Sequence, residues 1–187
     1  MKYFKKVVGT KCYLSPINLQ DFEKYTEWVN DIEVSKHLSL LPLIINLESE
    51  KEALEKLAKS NSTFAIIDLQ KDELIGNCGF IDINKIDRVA EFGIFIGNKD
   101  YWNKGYGEEA TRLTLDYGFN ILNLTNIMLK VFSYNKRGIK CYEKCGFKEF
   151  GKRRKAKLIG GTAYDVIHMD ILNNEFSNSV LKKSFEE

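Results

Sequence analysis

The 187-residue chain carries 28 Lys and Arg against 26 Asp and Glu, a net charge of +2, with 44% apolar and 29% charged residues. Such a composition describes an ordinary globular chain with a real core, excludes a disordered one, and sets up no dominant field for nucleic acid. Apolar stretches such as residues 38–45 are far too short to span a bilayer, and no apolar run with a cleavage site follows the basic start, so the expected address is the cytoplasm.

In chain order, residues 12–17 read as a short strand. Leu19, Phe22, Thr26 and Val29 then recur at helical spacing behind Asn18, a suitable N-cap. Pro42 interrupts, and residues 46–59 return to helical spacing through Leu47, Ala53, Leu54 and Leu57. Two strand-like runs, 63–69 and 74–83, flank a polar turn and predict an antiparallel hairpin. Residues 89–97 alternate strictly, with Ala90, Phe92, Ile94 and Ile96 on one face and Glu91, Gly93, Phe95 and Gly97 on the other. A helix over 105–122, a strand over 127–132, a helix over 136–144 and a closing strand pair, 147–157 and 162–172, complete the pattern. With no repeat and no linker, residues 1–172 read as a single domain and 173–187 as a polar tail. The order predicts an α/β (α+β) fold, a mixed sheet flanked by helices.

The most informative segment is Gly97-Asn98-Lys99-Asp100-Tyr101-Trp102-Asn103-Lys104-Gly105-Tyr106-Gly107-Glu108-Glu109-Ala110. A strand ends, a polar loop follows, and two glycines one residue apart open a helix. Free backbone N–H groups and the positive end of the helix dipole then face whatever lies in front, and glycine lets a diphosphate approach closely. A Walker loop needs Gly-Lys-Ser/Thr, which is missing. Gly105, Gly107 and Ala110 satisfy the dinucleotide pattern, but the following strand, Met128-Leu129-Lys130-Val131-Phe132, lacks the acid that pattern needs.

Four cysteines, Cys12, Cys78, Cys141 and Cys145, lack zinc-site spacing, and two histidines add nothing to a metal set, so no metal is indicated. The cluster Lys152-Arg153-Arg154-Lys155 with Lys157 reads as a solvated strand edge rather than a site for an anionic partner. Glu91 stands out as a mid-strand carboxylate; it faces a cleft, is simply an exposed strand residue, or pairs with Arg88 or Arg112.

Three segments together carry a family resemblance. Trp102-Asn103-Lys104-Gly105-Tyr106-Gly107-Glu108-Glu109-Ala110 resembles the acetyl-CoA motif of the GNAT superfamily of N-acetyltransferases, with Trp102 where the wider family commonly has Gln or Arg. Asn135, followed by a helix ending Tyr142-Glu143-Lys144-Cys145-Gly146-Phe147, resembles the family's second signature. Leu14-Ser15-Pro16 through Asp21, with Trp28-Val29-Asn30-Asp31, is similar to the branch of ribosomal-protein N-terminal and spermidine acetyltransferases.

The resemblance implies a central mixed sheet of six or seven strands, about four helices, and a V-shaped splay between the fourth and fifth strands. It implies acetyl-CoA as co-substrate. The cofactor is expected on Asn103, on the backbone amides of Lys104, Gly105, Tyr106, Gly107 and Glu108, on the strand end Phe95-Ile96-Gly97, and on Asn135. Tyr142 is the expected general acid and Glu91 the expected general base, acting through a ternary complex on a primary amine. The acceptor is a protein N-terminus, a polyamine or another small amine; the assembly is a monomer or homodimer. The alternative is a catalytically silent module that binds acyl-CoA and regulates a partner.

Overall fold

The computed structural model describes residues 2–177 and 179–182. Its elements run β1 (Val7–Val8), β2 (Cys12–Pro16), α1 (Phe22–Asn30), α2 (Ile32–Ser35), α3 (Leu47–Ser60), β3 (Thr63–Asp68), β4 (Leu74–Asn84), β5 (Val89–Ile96), α4 (Tyr106–Asn120), β6 (Asn126–Phe132), α5 (Lys136–Lys144), β7 (Lys148–Ile159) and β8 (Thr162–Leu172). The strands follow one another across a sheet in the order β1-β2-β3-β4-β5-β6-β8-β7. Among the described residues there are thus eight strands and five α-helices, above the six or seven strands and about four helices expected. The additions are β1, two residues long, and α2, a single turn, both too short to show a period. Asn18 does cap, but what it caps is a short 3-10 turn, Leu19–Asp21, that leads into α1. None of the described helices is long and apolar enough to cross a membrane.

By contacts the chain falls into two compact units: residues up to Phe80 with Gly93–Thr114, and Ile81–Phe92 with the chain from Leu115 onward. In the first unit, β2 and β3 are buried on both faces, and β1, β2, β3 and β4 pair antiparallel in turn. Helix α1 buries Tyr25, Trp28 and Val29, spaced three and four apart as one face of a helix requires. Tyr25 and Trp28 join Tyr13, Leu54, Ile67 and Leu74 in the core. Phe95 meets both rings edge-on, with centroids 6.0 and 6.2 Å away. Immediately beyond β5, the Trp28 indole lies so close to Gly97 that a Cβ there would stand 2.1 Å from Cδ2.

In the second unit, β6 buries Ile127, Leu129 and Val131 on alternate positions, and β8 does the same with Ile167, Met169 and Ile171. The parallel pairing of β5 with β6 joins Val89, Ala90 and Glu91 to Asn126, Ile127 and Met128. Strand β7 closes the sheet order as an edge. It carries the exposed Lys152, Arg153, Arg154 and Lys155, while the Lys157 ammonium lies 4.8 Å above the Phe132 ring. A register shift separates Arg153 from Lys157; within it Lys155 has φ +50° and donates its N–H to the Asp165 carboxylate at 2.8 Å.

The segment after β8 packs against the second half of α4. Asp116, only 1% exposed, accepts from Asn120 Nδ2 (2.7 Å), Ser179 Oγ (2.5 Å) and the backbone N–H groups of Val180 (2.6 Å) and Leu181 (3.0 Å). Phe176 stands 5.5 Å from Phe119, ring to ring. Of the stretch 173–187 read as a tail, residues 178 and 183–187 lie outside the described residues.

Trp28 and Gly97 together set one expected outcome. Gly97→Ala overpacks the indole and is expected to cost about 1–3 kcal/mol, read as a lower urea midpoint with an unchanged slope; an unaltered midpoint would mean that the Trp28 ring gives way freely.

Candidate functional site

The glycine-flanked turn lies wholly within the first unit. Asn98 closes β5 by accepting from the Asp100 N–H at 3.0 Å, starting a 3-10 turn, Lys99–Tyr101. Trp102 then folds back and donates its indole N–H to the Ile96 carbonyl at 2.8 Å. Asn103 takes φ +59°, which a short polar side chain tolerates, and Gly105 takes φ +87°, where glycine alone is unstrained. The Gly105 carbonyl accepts from the Glu109 N–H at 3.0 Å and so opens α4. By helix geometry the N–H groups of Gly105, Tyr106 and Gly107 have no partner within the helix, and the dipole adds partial positive charge. This is the cradle expected for a diphosphate, and these residues fit one.

Three carboxylates hold the cradle. Glu109, in the first turn of α4, accepts from Thr10 N–H (2.8 Å), Thr10 Oγ1 (2.6 Å), Lys11 N–H (2.8 Å) and Cys12 N–H (2.8 Å). Burial disfavours its charge, but those hydrogen bonds outweigh it and leave the carboxyl below its ordinary range. Glu73 accepts from Asn98 Nδ2 (3.2 Å), Tyr101 Oη (2.9 Å) and Lys24 Nζ (3.2 Å). Asp68 accepts from Tyr106 Oη at 2.6 Å and from the N–H groups of Gln70 (3.0 Å) and Lys71 (2.6 Å). Tyr101 and Tyr106 meet edge-on at 4.9 Å. The bond to Asp68, then burial, pushes the Tyr106 phenol up to about 12.

The remaining candidates lie in the second unit. Asn135 caps α5, its Oδ1 accepting from the Gly138 N–H at 3.0 Å. The amide lies so close that a Cβ at Gly138 would stand 2.6 Å from Nδ2, which explains the glycine. Tyr142, on the same helix, packs edge-on against Phe92 (6.5 Å) and Phe147 (6.0 Å). Burial, followed by the neighbouring Cys141 and Cys145, pushes its phenol well above the ordinary value, so it stays protonated. The Glu91 carboxylate is held through Oε2 by Lys130 Nζ at 2.7 Å, a partner from β6, rather than by Arg88 or Arg112. The cross-strand register explains the choice: Glu91 stands beside Met128, two residues from Lys130.

The turn residues Asn103, Lys104, Gly105, Tyr106, Gly107 and Glu108 thus stand together at one helix start, with Lys104 exposed. Phe95, Ile96 and Gly97 lead into it, but the Phe95 side chain belongs to the core, the Ile96 carbonyl serves Trp102, and the Gly97 N–H is spent on the Ile75 carbonyl at 2.9 Å. Glu33 is engaged with Asp31 on Lys99 Nζ, each at 2.7 Å. Asp68, Glu73 and the clamp made by Glu109 were not anticipated, because each acts on residues distant in the chain. A carboxylate in a helical first turn signals only dipole pairing.

Glu109→Gln replaces an acceptor oxygen by a donor facing N–H groups and is expected to cost about 2 kcal/mol at neutral pH. Because the folded carboxyl is depressed, its contribution is complete above the unfolded value of about 4.3 and disappears as pH falls through the folded one. The variant's stability is therefore expected to fall less steeply in that acid window, measured by urea unfolding across pH; parallel curves would remove the clamp from the stability of the fold.

Three comparisons with known proteins bear on this geometry. The model of the acetyltransferase (GNAT) domain matches residues 11–148. An uncharacterized N-acetyltransferase of Bacillus licheniformis is 30% identical over 169 residues, 88% of this chain and 94% of the relative. The spermidine N(1)-acetyltransferase of Vibrio cholerae is 40% identical over 115 residues, 62% of this chain and 65% of that protein. The crystal structure of the spermidine N-acetyltransferase from Vibrio cholerae in complex with CoA and spermine superposes with a TM-score of 0.81 at 30% identity, covering 91% of this chain and 100% of the other. With a family model that spans residues 11–148, most of the chain, and a relative 30% identical over 88% of it, the chain belongs to the GNAT family of acetyl-CoA-dependent N-acetyltransferases.

Proposed function

We propose that the chain acetylates a polyamine, with Tyr142 as general acid and Glu91 as general base. The observation that supports the cofactor half is the start of α4, where Gly105 at φ +87° opens a helix whose first amides have the chemistry to receive a diphosphate. The acceptor half rests on similarity to the spermidine acetyltransferases, one of which is described with CoA and spermine.

Acetyl-CoA, when bound, supplies an acetyl group activated as a thioester. The amides of Gly105, Tyr106, Gly107 and Glu108 would hold its diphosphate; in the second unit, Asn135 would offer the cofactor its amide nitrogen, since its oxygen is committed to Gly138. In the first unit β5 is the last strand in order, so main-chain groups on its outer edge can pair with the pantetheine arm as an added strand does. An amine attacks only when neutral. Glu91 Oε1 takes the ammonium proton through water, while Lys130 keeps the carboxylate in place through Oε2. Tyr142 Oη delivers a proton to the departing sulfur. Its burial raises the phenol, so it keeps its proton until a thiolate forms beside it.

The test is release of free thiol from acetyl-CoA with spermidine, spermine and short peptides of varied N-terminus. Turnover confined to the polyamines is expected; turnover confined to peptides replaces the acceptor, and CoA binding without any turnover replaces the enzyme by a silent module. Tyr142→Phe is expected to lower kcat about a hundredfold with CoA affinity unchanged. Glu91→Gln is expected to push the rise of kcat/KM to higher pH, toward that of the free amine; an unmoved profile removes Glu91 from the proton path.

A further inference from the structure

We infer that Lys11, in the turn joining β1 to β2, is a binding residue for the CoA diphosphate. The inference rests on the acetyl-CoA reading of the α4 start and adds to it a residue that the motif does not contain.

The position of Lys11 is fixed from both sides of its own backbone. Its N–H donates to Glu109 Oε2 at 2.8 Å, and its carbonyl accepts from the Leu69 N–H at 2.9 Å. One anchor is therefore the helix that carries the cradle, and the other is the end of the β3–β4 hairpin. The side chain then runs alongside the turn: a Cβ placed on Gly105 would stand 3.4 Å from Lys11 Cε and 3.8 Å from Cδ. The lysine stem therefore runs beside Gly105, the residue that opens α4.

The ammonium lies 6.0 Å from the centre of the Tyr106 ring, within reach of a cation–π contact. That ring is itself held, since Tyr106 Oη donates to Asp68 Oδ2 at 2.6 Å. Among the described residues Lys11 makes no ion pair, so its charge is uncommitted. Lys99, elsewhere in the same turn, is the contrast: its ammonium is divided between Asp31 and Glu33. A cation held beside the amides of a helix start, on a ring tethered by a carboxylate, has the chemistry to take a diphosphate oxygen.

The experiment compares wild type, Lys11→Met, Lys11→Arg and Lys71→Met by calorimetric titration with CoA and with dephospho-CoA. Lys71 is the control, because its ammonium stands 5.6 Å from the neighbouring Tyr101 ring without bordering Gly105. Lys11→Met is expected to weaken CoA about tenfold, to flatten the salt dependence of the affinity, and to weaken dephospho-CoA equally. Lys11→Arg should retain binding and Lys71→Met should match wild type, all with unchanged thermal midpoints. In turnover, Lys11→Met should raise KM for acetyl-CoA at constant kcat and leave kcat/KM for S-acetylpantetheine, which has no diphosphate, untouched.

Lys11→Met binding as tightly as wild type overturns the inference. Equal losses in Lys11→Met and Lys71→Met also overturn it, by reducing the effect to a general field. A loss seen with CoA but not with dephospho-CoA moves the contact to the 3′-phosphate and overturns the diphosphate assignment. Failure of the wild type itself to bind CoA is a separate result, which removes the cofactor reading beneath the inference.

Discussion

The Glu109 carboxylate is the interaction on which the first unit's architecture turns. One side chain in the opening turn of α4 gathers three consecutive backbone N–H groups and a hydroxyl from residues 10–12. Such a cluster of donors is costly to leave unpaired and equally costly for a carboxylate to enter half-satisfied. Its completeness is what permits the charge to remain. The fit also constrains the opposite wall, since a Cβ on Gly9 would stand 2.7 Å from the Glu109 carboxyl. The turn between β1 and β2 and the start of α4 are consequently joined by four hydrogen bonds to one carboxylate.

Around that clamp, Asp68 and Glu73 repeat the same logic at the other end of the turn. Each binds the hydroxyl of a tyrosine that flanks the cradle, and each also accepts from further donors, so neither is spent on a single contact. The shape of the turn is thus held by these carboxylates through Asn98, Tyr101 and Tyr106. A preorganised set of amides needs no reorganisation when an anion arrives, which is the physical advantage of such a construction.

Much of this was legible in the sequence where the signal is local. The alternation over 89–97, the two glycines ahead of a helix and Asn135 ahead of another each announced an element within a few residues of itself, and all three stand in the structure. The partner of Glu91 was misread because helical or turn neighbours, Arg88 and Arg112, were weighed, whereas the actual partner comes from across a parallel strand pair. Tyr106 was read for its backbone alone, since nothing in the chain near it announces Asp68, 38 positions earlier. Gly97 was placed on the correct face, yet its reason, the indole of Trp28, became visible only once α1 was set against the strand end. Contacts of this kind are properties of the folded arrangement, and no period encodes them.

The carboxylate of Asp116 has a consequence for how the protein is made. It is buried within α4, yet three of its donors come from residues 179–181, some 63 to 65 positions further on. During synthesis the helix emerges well before those donors exist, so the second half of α4 must wait with a hydrated, incompletely packed face. Residues 10–12, by contrast, are already made when Glu109 appears. The start of α4 can thus settle while translation continues, whereas the second unit cannot complete the Asp116 cluster until residues 179–181 have been threaded out.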